Sequence, residues 1–547
     1  MKKAWWKEAV VYQVYWRSFF DTDGDGIGDI NGVIEKLDYI KELDVDVIWL
    51  NPMYKSPDKD NGYDISDYYS VMEKAGDMNA MERLIDEVHQ RGMKLIMDLV
   101  VNHTSDQHPW FLESRSSKDN PKRDWYIWKD TKNGREPNNW RSYFTPSTWE
   151  YDEKTNQYYF HSFAIEQPDL NWENKEVRSE IYKMMRFWLD KGIDGFRLDV
   201  INLLAKKDGF PDADDPIDIS YLGNNPGIHQ YLQEMNREVL SHYDIMTVGE
   251  IPFVTPDDGL LYVGEDRNEL NTLFHFQVAD DMPTWDMKRF KTIQKEWYEG
   301  LKGKGWNSQF LNNHDHTRQV TRYGNDKEYR VQSAKLLGTL IHTLPGTPYI
   351  FQGEEIGMTG VQFKHIDEYR DIAMKNKYDE EVQKGKDPTE VLQSLQPLSR
   401  DNSRTPIQWD NSENGGFTTG TPWINSNPNY TTINVKEAMS DPSSIFHYYK
   451  KLIQLRKLNP VMVYGDYEDL SEGQEQLYIY SRSLNGITWL IILNHSDDEV
   501  KFQLPPMFNN QSKRLILANY LDVKEEKVAD IVALRPHEAR IYEFRFE

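Results

Sequence analysis

The chain contains no cysteine, so disulfide bonds and thiolate metal sites are excluded. Long apolar runs are also missing: 38% of the residues are hydrophobic, and no run approaches the roughly 18 to 20 residues that span a bilayer. The N-terminus carries two lysines but leads directly into Trp5 and Trp6, without the apolar stretch of a signal peptide. The missing signal peptide predicts a cytoplasmic protein, and the missing apolar runs predict one that does not enter a membrane.

Positive charge is in deficit, because 64 Lys and Arg residues stand against 89 Asp and Glu residues, a formal net charge of −25. Such a surface repels nucleic acid and anionic lipid, so we expect neither as a partner. Aromatic residues, in contrast, make up 13% of the chain. Flat amphipathic rings can stack on sugars, but they also fill the cores of large domains, so composition alone leaves both interpretations open.

Short apolar segments alternate with longer helical patterns along most of the 547 residues, which is typical of parallel βαβ units. The pattern predicts helices near 33–43, 78–91 and 175–191. The predicted strands cover residues 10–15, 47–50, 95–101, 195–198, 245–249, 270–276, 308–311 and 347–351. Eight is the number of strands that closes a (β/α)8 TIM barrel.

The alternation is interrupted once and then ends. Residues 105–168 are rich in Trp, Asn, Pro and charge, and short alternating strands begin after about residue 465. We therefore predict an α/β fold with a TIM barrel in two parts, 1–104 and 169–465, and an inserted loop-rich domain at 105–168. A C-terminal antiparallel β-sandwich domain should occupy 466–547.

Several polar residues fall at the carboxyl ends of predicted strands, where barrel enzymes carry their catalytic groups. Three are carboxylates, Asp199, Glu250 and Asp315. Hydrolysis of a glycosidic bond needs one carboxylic acid to protonate the leaving oxygen and one carboxylate to meet the oxocarbenium-like carbon. Arg197 lies two residues before Asp199, on the same side of the strand, and we expect it to keep Asp199 ionised while Glu250 holds a proton. Any one carboxylate could instead cap a helix, but three together with two histidines and an arginine are typical of an active site.

These strand ends resemble the signature regions of the α-amylase family of glycoside hydrolases, in the family's order. A fifth segment resembles the region found in the oligo-1,6-glucosidase and α-glucosidase branch. The resemblance begins at Trp5 and reaches the C-terminal domain. The segments are 98–103 (DLVVNH), 195–200 (GFRLDV), 248–250 (VGE), 312–315 (NNHD) and, for the fifth region, 167–171 (QPDLN).

The resemblance implies roles for individual residues. Asp199 would be the nucleophile, Glu250 the general acid/base, and Asp315 the carboxylate that binds sugar hydroxyls and helps distort the ring. An arginine that pairs with Asp60 would close the pocket behind one terminal glucose, which implies exo action on short chains. The residues that match the family's glucose pocket are Asp60, Tyr63, His103, Phe163, Gln167, Arg197, His314 and Arg404.

An acidic loop near the N-terminus places side-chain oxygens at alternate positions between glycines, the pattern that surrounds Ca²⁺. The loop is only part of an EF-hand, since Gly32 stands at the position of the bidentate glutamate. An acidic turn without an ion is the alternative. Because relatives in the resembled branch hold a structural Ca²⁺ here, we expect a site formed by Asp21, Asp23, Asp25, the Ile27 carbonyl and Asp29.

The prediction of which glycosidic linkage is cleaved rests on Val200, which follows the proposed nucleophile. In the resembled branch, valine at this position accompanies α-1,6 activity, whereas alanine or threonine accompanies α-1,4 preference. The sequence therefore predicts a retaining α-glucosidase that releases terminal glucose from isomaltose-type oligosaccharides. His316 and Thr317 depart from the family pattern nearby and put the contacts to the leaving sugar in question.

Other functions remain as alternatives. An α-1,4-glucosidase, a sucrose isomerase or a transglucosylase would use the same glucosyl-enzyme. Trehalose-6-phosphate hydrolysis is disfavoured, because Ala164, Ile165 and Glu166 offer no cation for a phosphate. A non-catalytic barrel is disfavoured because all three carboxylates are kept and no membrane anchor is evident. We expect a monomer whose partner is a small oligosaccharide.

Overall fold

The computed structural model describes residues 2–508, 513–523 and 531–546. Its largest sheet has eight parallel strands, and a parallel bridge between Leu273 and Asn307 joins the two edge strands of this order, so the sheet closes into a barrel. The barrel strands are Val11–Val14, Val47–Leu50, Lys94–Leu99, Gly195–Leu198, Met246–Glu250, Thr272–Phe274, Ser308–Gln309 and Thr347–Phe351. The predicted α/β barrel is confirmed.

Side chains alternate between the two faces of each barrel strand, as strand geometry requires. Val11, Val47, Ile96 and Val248 belong to one buried cluster that fills the barrel. The intervening residues, such as Ile48, belong instead to the large core shared with the surrounding helices. Because both faces of each strand are buried, the strands read as continuous apolar runs.

A helix or helix pair follows each strand and covers the outside of the barrel. The first connection, predicted as one helix, is two helices that meet at Lys36, whose backbone leaves the helical region. In the longest helix, Asn174 accepts a hydrogen bond from the Glu176 amide and so caps the N-terminus. The covering helices are Ile30–Glu35 with Leu37–Leu43, Met78–Gln90, Lys175–Asp190, Ile228–Glu238, Pro256–Val263, Met287–Leu301, Arg330–Thr343 and Ile445–Leu458.

Two long segments leave the barrel at the carboxyl ends of its strands and build the surroundings of the site. The first, after the third strand, contains the helix Pro109–Ser114 and a small antiparallel sheet of Trp128–Lys129, Gln157–Phe160 and Trp149–Asp152. The second follows the eighth strand and contains the helices Ile372–Gln383 and Pro388–Leu395. Both segments reach the same end of the barrel.

The C-terminal part is antiparallel. Its main sheet runs in the order Asp466–Asp469, Leu477–Leu484, Ile487–Asn494, Ala539–Arg545, Lys513–Ala518, and Val500–Gln503 pairs with Ile531–Leu534 in a second sheet. Leu490 and Phe502 share a core between the two sheets, whereas Ile491 packs toward the barrel. None of the described helices combines the length and the apolar character that crossing a membrane requires.

Candidate active site

Asp199 and Glu250 stand at the ends of adjacent barrel strands. Asp199 follows Gly195–Leu198 directly, and Glu250 is the last residue of Met246–Glu250. The two strands pair in parallel, with Leu198 opposite Gly249. Both side chains are buried, and the Arg197 guanidinium contacts both carboxyl groups. Two carboxyl groups that contact one guanidinium lie close together, as the acids of a retaining pair do.

Val200 has an unusual backbone. Its φ of 35° and ψ of 44° lie in the left-handed region, which is costly for a β-branched residue. This conformation ends the strand, places the Val200 side chain on the wall of the pocket, and lets its amide donate to Glu250 Oε2 at 3.0 Å. The backbone at Val200 therefore ties the two carboxyl-bearing strands together.

Arg197 lies under both carboxyl groups. Its Nη1 contacts Asp199 Oδ1 at 2.6 Å and Asp98 Oδ1 at 2.5 Å, and its Nη2 contacts Glu250 Oε2 at 2.5 Å. The guanidinium is also 5.2 Å from the centre of the Trp49 ring. One buried cation thus serves three buried acids, and this shared position fixes the floor of the site.

The pKa of Asp199 depends on how the three acids share Arg197. Burial raises the pKa of Asp199 well above its ordinary value; Arg197 opposes this shift, while Glu250 and Asp98 add to it. Arg197 lowers the pKa of Asp199, as expected, but it divides its charge among three carboxyl groups and does not offset the effect of burial. Asp199 consequently holds its proton to higher pH than an exposed aspartate does.

Asp315 is held ionised from a different side. Arg404 Nη2 contacts its Oδ1 at 2.6 Å, and His314 Nε2 lies 3.2 Å from its Oδ2. Burial alone would raise the pKa of Asp315, but His314, Arg404 and Arg400 together lower it far below the usual range. A permanently charged acceptor for sugar hydroxyls results.

Arg400 closes one end of the pocket. Its Nη2 lies 3.4 Å from Asp60 Oδ1, and its Nη1 lies 3.6 Å from Asp315 Oδ1. Gln167 Nε2 donates to the other Asp60 oxygen at 3.1 Å. The arginine that pairs with Asp60 is thus Arg400, which the sequence analysis missed. Its signal was the spacing of four residues before Arg404, which places two arginines on one short helical turn.

A hydrogen-bonded chain orients His314 behind the pocket. Gln13 Nε2 lies 2.8 Å from His314 Nδ1, and Tyr63 Oη lies 2.7 Å from His314 Nε2. Asn51 donates to the same Tyr63 oxygen at 2.9 Å. Burial lowers the pKa of His314 well below its ordinary value, so the ring is neutral and its two nitrogens have different roles.

His103 is fixed from the inserted domain's side. Its Nε2 lies 3.1 Å from the Tyr63 carbonyl oxygen and 3.3 Å from Gln167 Nε2, and its ring contacts Phe163 at 5.1 Å between centres. Burial lowers the pKa of His103 to about 4. The histidine is therefore a neutral polar group on the pocket wall.

These residues surround a cavity of about 410 Å³. Of the predicted site residues, the wall includes Asp60, Tyr63, His103, Phe163, Asp199, Val200, Glu250 and Asp315. Gln167, Arg197, His314 and Arg404 lie behind this wall, fully buried, and act on it through the hydrogen bonds and ion pairs described above. The sequence therefore identified both the lining and the supporting layer, without distinguishing them.

An aromatic entrance was not predicted. Tyr143 stacks on Phe163 at 4.8 Å and on Phe253 at 6.3 Å, and Phe276 stacks on His316 at 5.6 Å. All five rings line the cavity. Such rings offer apolar faces to a sugar, but their positions come from loops that carry no distinguishing pattern in the sequence.

A buried lysine, also missed, is linked through Asp169 to the inserted segment. Lys206 Nζ contacts Asp169 Oδ2 at 2.6 Å and donates to Asn102 Oδ1 at 2.9 Å. Asp169 in turn accepts from Ser162. These contacts fix the segment that ends at His103 against the segment that carries Phe163.

Three of the proposed calcium ligands converge. Carboxylate oxygens of Asp21, Asp23 and Asp29 all lie within 4.8 Å of one another. Asp25 is not part of this group; its Oδ1 accepts a hydrogen bond from the Ile27 amide. Thr418 donates to Asp21 at 2.5 Å, so the loop is attached to the segment that follows Arg404. The donors are hard oxygens, which suits Ca²⁺.

Comparisons with known proteins agree with this geometry. Residues 13–465 match the profile of the α-amylase catalytic domain. An oligo-1,6-glucosidase of Parageobacillus thermoglucosidasius is 55% identical over the full length of both chains, and one of Bacillus cereus is 52% identical, also over both full lengths. The isomaltulose synthase of Protaminobacter rubrum superposes with a TM-score of 0.97 at 45% identity and complete coverage of both chains. The trehalose-6-phosphate hydrolase of Bacillus licheniformis does so with a TM-score of 0.94 at 48% identity and the same coverage. With the barrel, the paired carboxyl groups and the match over most of its length, the chain belongs to the α-amylase family of glycoside hydrolases.

Proposed function

We propose that the protein is an exo-acting, retaining α-glucosidase that releases the terminal non-reducing glucose of isomaltose-type oligosaccharides. The observation that carries the proposal is that Asp199 and Glu250 both contact Arg197 and line a pocket whose end is closed by the Arg400–Asp60 contact. Relatives named oligo-1,6-glucosidase at 52 to 55% identity support the substrate class.

The mechanism follows from the positions of the acids. When a sugar enters, its anomeric carbon meets Asp199 and its glycosidic oxygen meets Glu250, and the proton of Asp199 passes to Glu250. Asp199 attacks the anomeric carbon as Glu250 protonates the leaving oxygen, so the glucose becomes β-linked to Asp199. Glu250 then deprotonates the water that cleaves this linkage and releases α-glucose, with net retention of configuration. Proton NMR during turnover should show α-glucose as the first product; initial β-glucose would overturn the mechanism.

The end of the pocket that Arg400 and Asp60 close supports exo action. Asp60, Arg400 and Asp315 leave room for hydroxyl groups but not for a further sugar, since Arg400 is within 3.6 Å of both acids. Among the residues that line the cavity, Arg400 is the single lysine or arginine, and burial lowers the pKa of His316 to about 4. A neutral leaving sugar therefore suits the site better than a phosphorylated one.

The function is tested by a substrate panel of isomaltose, maltose, sucrose, trehalose 6-phosphate and panose, with each released sugar identified. Glucose from isomaltose and from the non-reducing end of panose is the expected result. Isomaltulose from sucrose, or glucose 6-phosphate from the phosphorylated substrate, would assign the site to the activities named for its structural neighbours instead.

Val200→Thr should narrow or reverse the preference for isomaltose over maltose in kcat/KM. The Val200 side chain lines the cavity beside Glu250, where a 1,4-linked ring meets it directly, whereas a 1,6-linked sugar can swing past on its extra rotatable bond. One methyl group in such a pocket changes the ratio by about 10- to 200-fold. Threonine matches the shape of valine, so the comparison isolates the exchange of one methyl group for a hydroxyl group. An unchanged ratio would show that Val200 does not govern linkage here.

We further propose that the Asp21, Asp23 and Asp29 group holds a structural Ca²⁺. Three adjacent carboxylates repel one another without a cation. A metal that binds only the folded state adds about 2.7 kcal/mol at a hundredfold excess over Kd, so EDTA should lower the Tm and added Ca²⁺ should restore it. An unchanged Tm in fully chelated protein, with no ion found by elemental analysis, would identify an acidic turn. Monomeric state and cytoplasmic location remain predictions from the sequence.

A further inference from the structure

One helix outside the barrel lies behind two walls of the catalytic pocket. This helix, Ile372–Gln383, belongs to the segment that follows the eighth barrel strand, and none of its residues lines the cavity. Two of its contacts nevertheless end on residues that do. Asp371 caps its first turn, and Asn376 lies on its second turn.

Asp371 holds Arg400 more closely than the pocket acids do. Its Oδ1 lies 2.8 Å from Arg400 Nε and 2.8 Å from Arg400 Nη2, and its Oδ2 accepts the Arg400 backbone amide at 2.9 Å. By comparison, Asp60 and Asp315 are 3.4 and 3.6 Å from the same guanidinium. Asp371 is buried, and although burial raises its pKa, Arg400 and Arg404 lower the pKa below the usual value, so the side chain is charged. It therefore competes with Asp60 and Asp315 for Arg400.

Asn376 holds a second residue of the pocket wall, Phe144. Its Nδ2 donates to the Phe144 carbonyl oxygen at 3.1 Å, and so attaches a loop of the inserted domain to the helix. The Phe144 ring packs on Phe163 at 5.4 Å and lies 4.9 Å from the Arg400 guanidinium. At the contact between Phe144 and Arg400, the two long segments that leave the barrel meet, and Asp371 and Asn376 hold one partner each.

We propose that Asp371 and Asn376 are positioning residues that hold the Phe144–Arg400 contact and so set the affinity of the closed end for glucose. This inference rests on the proposed function, because it assumes that the closed end receives a terminal glucose. With Arg400 anchored to Asp371, the oxygens of Asp60 and Asp315 stay available to sugar hydroxyls. Without that anchor, Arg400 pairs more tightly with both acids, and a sugar must displace it.

Asp371→Asn tests the anchor. Asparagine keeps the helix cap and nearly the same shape but removes the charge that holds Arg400. KM for isomaltose and the inhibition constant of free glucose should rise together, by about 10- to 100-fold, while kcat changes by less than about threefold. Asn376→Ala, which loses one neutral hydrogen bond, should raise both constants by about 2- to 10-fold. Asp379→Asn, an exposed change on the same helix, is the matched control and should change neither constant.

The glucose inhibition constant separates positioning from simple loss of folded protein, which would lower kcat and leave KM and this constant unchanged. In the double variant, the effects should be less than additive, because both side chains support one contact. An unchanged inhibition constant in Asp371→Asn, or additive effects, would overturn the inference. If the wild-type protein releases no glucose from any α-glucoside, the proposed function fails instead, and the two failures are thereby distinguished.

Discussion

Replacing Asp199 with alanine should lower kcat for an aryl α-glucoside by about 10⁴-fold or more, because the covalent route is lost. The Tm should not fall, since the change removes one of three acids that share Arg197. Loss of activity without loss of stability is the mark of a residue kept for chemistry rather than for folding. Asp257→Ala, an exposed aspartate on the helix after Glu250, is the control and should leave both quantities unchanged.

Azide rescue assigns the two acids separately. In Asp199→Ala, azide should take the place of the nucleophile and attack the α-glucoside from the opposite face, which gives β-glucosyl azide. In Glu250→Ala, Asp199 still forms the β-linked glucosyl-enzyme from a substrate with a good leaving group, and azide then gives α-glucosyl azide. Products of the opposite configurations would exchange the two roles, and near-native activity of Asp199→Ala in the absence of azide would contradict the mechanism.

The barrel could be predicted because its strands are buried on both faces and read as apolar runs. The ends of the strands were predicted less accurately. Strands were predicted over residues 270–276 and 308–311, whereas the strands of the structure are only Thr272–Phe274 and Ser308–Gln309. The polar residues at those ends were identified correctly as neighbours, since parallel strands bring their carboxyl ends together. The local sequence pattern was sufficient to predict a site residue wherever that residue stands at the end of a predicted strand.

Residues whose role depends on long-range contacts were missed. Arg400 and Asp60 are 340 residues apart, and Lys206 meets Asp169 and Asn102 from a loop without regular structure. The upward direction of the Asp199 pKa shift was missed for a related reason. The sequence showed that Arg197 lies near Asp199, but only the fold shows that Asp98 and Glu250 contact the same guanidinium.

Replacing Arg197 with methionine should destabilise the protein strongly, and more at pH 8 than at pH 5. Removing one partner of a buried ion pair costs about 3 to 5 kcal/mol, because the remaining charge is left uncompensated in a poorly solvated site. Here three acids lose their common cation. Activity measured at a temperature where the variant is folded should also fall, by about 10²- to 10³-fold, because the charge that organises the reacting acids is gone.

The pH dependence follows from the direction of the pKa shifts. Burial raises the pKa of Asp98 to about 6 even with Arg197 present, above the value of about 3.9 in unfolded chains. The folded protein therefore binds more protons than the unfolded chain in this window, and its stability falls as the pH rises through it. Without Arg197, the buried acids keep their protons to higher pH. The free energy of unfolding of the variant therefore goes on falling beyond pH 6, and its deficit is largest at high pH.

Urea unfolding of wild type and Arg197→Met at pH 5 and pH 8 measures this difference. Arg237→Met, which removes an exposed arginine paired with exposed Glu238, is the control and should change the unfolding free energy by less than about 1 kcal/mol at either pH. Arg197 also packs against Trp49, and that contact does not depend on pH. An equal loss at the two pH values would therefore assign the effect to packing, whereas a larger loss at pH 8 would show that Arg197 acts chiefly as the shared cation of the site.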